Sequence, residues 1–333
     1  MGGRRRFRYL DSRGNPIRDA DKLARVDALR IPPAWRDVWI SPRANAKLQA
    51  TGIDAAGRRQ YLYHPDFRAQ QEQEKFERLI TFAERLPRLR EAMSEHMELD
   101  SLAPDRVSAI AVRLINLGWF RVGSEEYVRR HGTYGITTLR KTHVEVRGSS
   151  VRFSYPGKRR IPVRTALVDA ELATGLRELK ALPGGRRLFR YRVDGELRNL
   201  TSRRLNEYIQ EHMETDFTAK DFRTWGGTLM AAIALAEHGP AETQSDAKRT
   251  VAAVMRTVAE KLGNTPAVTR ASYVSPAVVE QYFDGRTLEQ FRARHLRVVG
   301  ARDSMLDLEE QALLSLLRSW RIRRNHAARA VAA

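Results

Sequence analysis

The chain has 333 residues, with 59 Lys and Arg against 40 Asp and Glu, and a formal net charge of +19 calls for a polyanionic partner, nucleic acid before membrane because no basic amphipathic anchor stands out. Hydrophobic residues at 42% suffice for real cores, and the length suits two domains of about 150 residues each. The absence of cysteine excludes disulfides, thiolate nucleophiles and cysteine zinc sites; no apolar run approaches the ~18 residues of a membrane span and the histidines show no ligand spacing, so neither membrane nor metal is expected.

Residues 1–9 are very basic, an arm for a polyanion or a frayed end. From residue 7 to residue 64 the signals are strands and turns. Val38-Trp39-Ile40 is a short apolar strand stopped by Pro42, and residues 47–53 and 59–64 flank Ala56-Gly57 as a hairpin. Basic and aromatic side chains interleave there, among them Arg36, Arg43, Lys47, Arg59 and Tyr61. Such a sheet either lies along a phosphate backbone or buries its rings as a small core of its own. After His64-Pro65 the texture turns helical, which puts a domain boundary at residues 65–80. Residues 66–86 read as one helix, with Pro87 starting a second. Pro104 opens another, with Val107, Ile110, Ala111 and Leu114 on one face, ending at Gly118-Trp119-Phe120-Arg121-Val122-Gly123. Arg121 thus leaves a buried helix at a glycine-flanked turn, and residues 124–130 form the next short helix.

Residues 143–163 are the one strand-rich stretch of the second half, and Lys158 follows the Pro156-Gly157 turn at a hairpin tip, where a lysine by itself is a solvated edge charge. Helical patterns resume at 166–182 and 201–212. Thr218 and Asp221 have capping-box spacing at the head of a helix that is apolar all round from 229 to 236. Arg223, in the first turns of that buried helix, must sit in a salt bridge or bind an anion. Residues 246–262 form a helix stopped by Gly263, and Thr265-Pro266 and Ser275-Pro276 each read as an N-cap with a first-turn proline. Tyr273 lies on the short segment between those two start signals. A lone tyrosine there packs or caps something, and only its companions make its hydroxyl a candidate nucleophile. Residues 303–324 read as a charged amphipathic helix and 327–333 as a loose end.

The candidates in chain order are Arg121, Lys158, Lys220-x-x-Arg223, Asn264 and Tyr273. The words that carry them are Gly-Trp-Phe-Arg121-Val-Gly, Pro-Gly-Lys158, Lys220-Asp-Phe-Arg223-Thr-Trp, and Gly-Asn264-Thr-Pro followed by Ser-Tyr273-Val. Together they resemble the type IB DNA topoisomerases, in their small bacterial and poxvirus-like branch. Leu48-Gln-Ala-Thr-Gly and Arg59-Gln-Tyr-Leu-Tyr-His-Pro are similar to that family too, so the resemblance spans about residues 7–285. It implies an α+β chain: a small β-rich DNA-clamping domain at residues 1–75 and a mainly helical catalytic domain with a β-hairpin sheet at residues 76–333, of the kind shared by tyrosine recombinases and type IB topoisomerases. It further implies a monomer clamped on double-stranded DNA in the cytoplasm (the bacterial nucleoid), with no ATP, metal or other cofactor. Tyr273 would form a 3′-phosphotyrosyl link, Arg121 and Arg223 would hold the non-bridging phosphate oxygens, and Lys158 would protonate the leaving 5′-oxygen.

Asn264 departs from the histidine that eukaryotic topoisomerases and tyrosine recombinases usually carry; its amide donates a hydrogen bond but cannot act as an acid. Lys220, Arg36, Arg43, Lys47, Arg59 and Tyr61 are the expected further DNA contacts. Two rivals remain open at this point. A tyrosine recombinase shares the catalytic set, but favours histidine at Lys220 and Asn264 and begins with a helical domain. A non-catalytic DNA-binding protein would have no reason to keep the whole constellation.

Overall fold

The structure, a computed structural model, describes residues 7–292 and 306–332. Residues 1–6 of the basic arm expected at 1–9 and the first three residues of the expected tail helix, 303–305, lie outside the described residues. The chain forms two compact units, Met1–Lys75 and Phe76–Ala333.

In the first unit, α1 (Ala20–Ala28) precedes an antiparallel sheet of β1 (Arg36–Ile40), β2 (Leu48–Ile53) and β3 (Arg59–Tyr63), in that order. The helix was not expected from the strand-and-turn signals; Asp19 caps it by accepting the N–H groups of Asp21 and Lys22 at 3.0 and 3.1 Å. From this helix Arg25 donates to the Ser41 carbonyl and the Gln49 amide oxygen, both at 2.8 Å, while the Gln49 amide nitrogen donates to the carbonyls of Ala44 and Ala46 at 2.9 and 2.6 Å. Those bonds shape the β1–β2 loop that carries the exposed Arg43 and Lys47. Across the strands Trp39 pairs with Thr51 and Thr51 with Tyr61. Trp39 and Tyr61 are 48% and 52% exposed, so this aromatic row is not the unit's core.

The long helix α2 (Pro65–Met97) starts in the first unit and continues into the second. It runs through Pro87, where a new helix was expected. A proline inside a helix forfeits one hydrogen bond and costs about 3 kcal/mol. Leu86 and Leu89, both fully buried beside it, recover about 1.5–3 kcal/mol each, which is enough to hold the helix together.

The second unit continues with α3 (Pro104–Gly118), α4 (Glu125–His131), the antiparallel sheet β4 (Val144–Arg147), β5 (Ser150–Pro156) and β6 (Pro162–Val168), then α5 (Ala170–Ala181). The expected helix from residue 166 therefore begins later. Residues 166–168 finish β6, and Asp169 starts α5 by accepting the Leu172 N–H at 2.9 Å. A second hairpin follows, β7 (Arg190–Val193) and β8 (Glu196–Asn199), so the stretch at 143–163 is not the one strand-rich segment of this unit. The helices α6 (Ser202–Met213), α7 (Ala219–His238), α8 (Gln244–Leu262), α9 (Pro266–Ser272), α10 (Pro276–Phe283) and α11 (Leu308–Ala332) complete it. The last of these includes the end expected to be loose, remaining helical through Ala332.

Helix α7 is the centre of the unit, buried along most of its length and packed by α3, α8, α10 and α11. An aromatic cluster of Phe82, Phe217, Phe222 and Trp225 joins it to α2 and to the α6–α7 turn. One buried carboxylate ties in α11: Glu310 accepts two bonds from Arg90 at 2.7 and 2.8 Å and one from the Trp225 indole at 3.1 Å. Burial alone would raise the pKa of Glu310, but the Arg90 guanidinium outweighs it and holds the carboxyl below its ordinary range.

Candidate active site

Thr218 and Asp221 form the expected capping box at the head of α7, the Asp221 carboxylate accepting the Thr218 N–H at 2.8 Å. That fixes the helix phase and sends Arg223 inward, where it is only 5% exposed. Its guanidinium donates to two backbone carbonyls, Trp119 at 2.5 Å and Leu262 at 2.7 Å. Both lie at helix ends. Trp119 closes α3 in the left-handed conformation (φ 50), and Leu262 is the last residue of α8. Arg223 therefore binds together the two helix ends that lead into Arg121 and Asn264.

Arg121 lies two residues past Trp119, its backbone carbonyl bonded by the Ile136 N–H at 2.8 Å. Its side chain donates to the Gly263 carbonyl at 3.0 Å and to the Asn264 amide oxygen at 2.8 Å. With its oxygen so occupied, Asn264 keeps its amide nitrogen as a buried donor with no hydrogen-bond partner, and the Arg223 Nε is in the same state. Tyr273 ends α9, and the Arg223 guanidinium stands over its ring, 5.1 Å from the centroid.

The electrostatics of this cluster are unusual for a protein interior. No carboxylate pairs with Arg121 or Arg223 among the described residues, so the structural salt bridge open to Arg223 from its sequence context is not made. Burial pulls the pKa of Arg223 down to about 10, with the neighbouring positive charge of Arg121 acting in the same direction. Arg121 is likewise lowered by burial. An arginine stays charged at neutral pH, so two like charges are neighbours here, and the Arg223 Nε has no partner.

A cavity of about 610 Å³ opens on this cluster, lined by Arg121, Arg223, Gly263, Tyr155 and, on the hairpin side, Lys158. Lys158 is exposed at the β5–β6 tip, where the two residues after it, Arg159 and Arg160, both take φ near 60. Tyr273 and Asn264 lie outside the cavity lining but in contact with its arginines. Lys220 is exposed in the first turn of α7 and does not line the cavity. Arg36, Arg43, Lys47, Arg59 and Tyr61 belong to the first unit, all of them exposed.

Several residues that shape the site escaped the sequence reading. Tyr155 is buried in the cavity wall, its phenol pushed up by burial against the pull of Arg121 and Arg223. The run Gly226-Gly227-Thr228 on α7 forms the floor beneath Trp119 and Tyr273. A Cβ on Gly226 would meet the Trp119 indole nitrogen at 2.1 Å, and one on Gly227 would meet the Tyr273 carbonyl oxygen at 2.6 Å. The Thr228 hydroxyl accepts the Ser275 N–H at 3.1 Å and lies 3.3 Å from the Tyr273 carbonyl. The only sequence signal was a glycine pair inside a helical pattern, which marks close approach of a neighbour. We expect Gly227→Ala to displace the Tyr273 backbone and slow single-turnover cleavage by about tenfold or more, with DNA affinity retained. Equal losses in affinity and rate would show that the glycine serves folding alone.

The comparisons with known proteins agree with this geometry. The model of the family described as "Eukaryotic DNA topoisomerase I, catalytic core" matches residues 64–294, more than half of the chain. The chain belongs to the type IB DNA topoisomerases. A second family, "Bacterial DNA topoisomerase IB, N-terminal domain", matches residues 6–54. The DNA topoisomerase 1B of Acanthamoeba polyphaga mimivirus is 34% identical over 268 residues, covering 78% of this chain and 80% of its own. That of vaccinia virus (strain Copenhagen) is 21% identical over 285 residues, covering 83% and 87%. The mainly helical second unit after a small β-rich first one is the α+β architecture of this family, and DNA is the topoisomerase's substrate.

Among the described residues no group of three or more His, Cys, Asp or Glu is placed to hold a metal ion, and no helix is long and apolar enough to cross a membrane.

Proposed function

We propose that this topoisomerase relaxes supercoiled duplex DNA by transient cleavage of one strand at the Tyr273 hydroxyl. The observation that carries the assignment is the pair of guanidiniums, Arg223 buried and Arg121 half-buried, with no carboxylate partner and with the Arg223 Nε and the Asn264 amide nitrogen left as unspent donors. Two such charges are costly to bury unless an anion joins them, and a backbone phosphate supplies one in the right geometry. In the reaction the Tyr273 oxygen bonds to phosphorus as its proton passes to water, and the bond from phosphorus to the 5′-oxygen breaks. Arg121, Arg223 and the Asn264 amide hold the non-bridging oxygens, where negative charge builds. Lys158 gives its proton to the departing 5′-oxygen, leaving a 3′-phosphotyrosyl ester and a free 5′-hydroxyl. The ester conserves the bond energy, so after the free end swivels the reverse attack reseals the strand without a nucleotide. Every group in this account comes from one chain, which supports a monomer acting on each duplex. The test is supercoiled plasmid with EDTA and no nucleotide. Relaxation of both positive and negative supercoils is expected, and a strict requirement for magnesium or ATP would refute the scheme.

The exposed Trp39–Thr51–Tyr61 row with Arg36, Arg43, Lys47 and Arg59 is our proposed backbone contact of the first unit. Replacing these four basic residues with glutamine should make the slope of log K against log salt shallower by roughly 0.9 for each phosphate no longer neutralised. An unchanged slope would mean that this sheet does not touch the phosphates.

A further inference from the structure

Helix α11 is two things in one element. Its first half is docked: Ala312, Leu313, Leu314, Leu316 and Leu317 are buried, and Glu310 is locked to Arg90 and Trp225. From Arg321 to Ala327 every residue is exposed, as are Arg329 and Ala330. The helix continues to Ala332, so the stretch from Arg321 adds a rod of about 18 Å with no apolar face to bury. It stays helical because alanine and arginine are strong helix formers and the docked half has already nucleated it.

Residues 318–333 hold five arginines, Arg318, Arg321, Arg323, Arg324 and Arg329, and no acidic side chain. Arg323 is anchored to Asp284 at 3.1 Å, beside α10. At 100° per residue, Arg321, Asn325 and Arg329 then fall on the face turned away from that anchor. Arg321 and Arg329 make no ion pair among the described residues. Arg318 pairs with Glu84 at 2.7 Å and Arg324 lies over the Trp320 ring, and the helix dipole, which rewards cations only in the last turn, accounts for Arg329 but not for Arg321. Like charges three and four residues apart otherwise weaken a helix. What favours this pattern is a polyanion.

We propose that the exposed half of α11 is an auxiliary DNA-binding element that holds the phosphate backbone on the flank of the duplex engaged at the catalytic cavity. The inference rests on the proposed reaction at Tyr273 only in placing the duplex there. Reach favours the same duplex. The eight residues of α10 begin three positions after Tyr273 and span about 12 Å, and Arg323 binds just past their end. The rod beyond adds about 18 Å, so the two together fall within one turn of duplex, about 34 Å.

The test uses the full chain with Arg321→Gln and Arg329→Gln combined, beside an Arg321→Lys, Arg329→Lys control. Binding is measured against salt on duplexes of about 12 and about 40 base pairs centred on a cleavage site. The glutamine variant is expected to lower the salt slope on the long duplex by roughly 0.9 for each phosphate it no longer neutralises, to leave the short duplex unaffected, and to be rescued by lysine. An unchanged slope on the long duplex overturns the proposal, and so does an equal change on both lengths, which would place the helix inside the catalytic footprint. Single-turnover cleavage of the short duplex at saturation should match wild type. Loss of cleavage in the wild-type chain itself would instead count against the Tyr273 scheme.

Discussion

Tyr273→Phe is expected to abolish both plasmid relaxation and covalent trapping of DNA while leaving DNA affinity nearly unchanged. The substitution removes one oxygen and with it the side-chain hydrogen bond to Arg223, while the rest of the residue is held by other contacts. Its backbone N–H bonds the Thr269 carbonyl at 2.9 Å, its carbonyl faces the Thr228 hydroxyl, and its ring lies under Arg223. All three interactions survive in phenylalanine. The phosphate-holding groups also stay in place, because Arg223 is fixed by the Trp119 and Leu262 carbonyls and Arg121 by Gly263 and Asn264. Binding and chemistry should therefore separate cleanly, by gel shift for the first and denaturing gel for the second. A variant that still forms a protein–DNA adduct would assign the nucleophile to another residue.

Lys158→Ala is expected to slow cleavage of ordinary DNA by about 10²–10⁴-fold, the usual loss for a missing general acid. The reason is the leaving group: an alkoxide departs poorly at neutral pH unless it is protonated. A thiolate needs no such help, since thiol pKa values lie near about 8.5. On DNA with sulfur in place of the 5′-bridging oxygen, the variant should approach the wild-type rate. Arg223→Ala should not be rescued by sulfur, because its role is charge stabilisation on the non-bridging oxygens. Equal slowness of Lys158→Ala on both substrates would reduce Lys158 to a DNA-positioning residue. The contrast is informative because both residues line the cavity, Lys158 exposed on the hairpin and Arg223 buried on α7.

What could be read in advance follows from how local each signal is. The capping box at Thr218 and Asp221, the glycine stop at Gly263 and the paired starts at Thr265-Pro266 and Ser275-Pro276 are decided within four residues, and the helices α7 to α10 form where those signals put them. Pro87 and the segment 166–168 misled for the opposite reason. A buried helix overrode the proline, and β5 recruited three residues whose own pattern suited either state. The β7–β8 hairpin was legible and overlooked, since Asp194-Gly195 between Val193 and Leu197 is a strong short-range hairpin signal. The helix α1 had a readable cap in Asp19 that the surrounding turn residues obscured. The candidate catalytic residues were nameable from short words in the sequence. Their support was not, because the Arg223 bonds to Trp119 and Leu262 and the fit of Tyr273 against Gly227 join residues far apart in the chain.

The central claim is that Tyr273 takes the 3′ end of a broken strand. The direct measurement is to trap the covalent complex on a duplex labelled at either end, digest it, and identify the modified peptide by mass spectrometry. The account predicts a single adduct on Tyr273 carrying the 3′-phosphate, formed in EDTA and without nucleotide, with a free 5′-hydroxyl on the other fragment. An adduct on any other residue, or one joined to the 5′ end of the break, would contradict it.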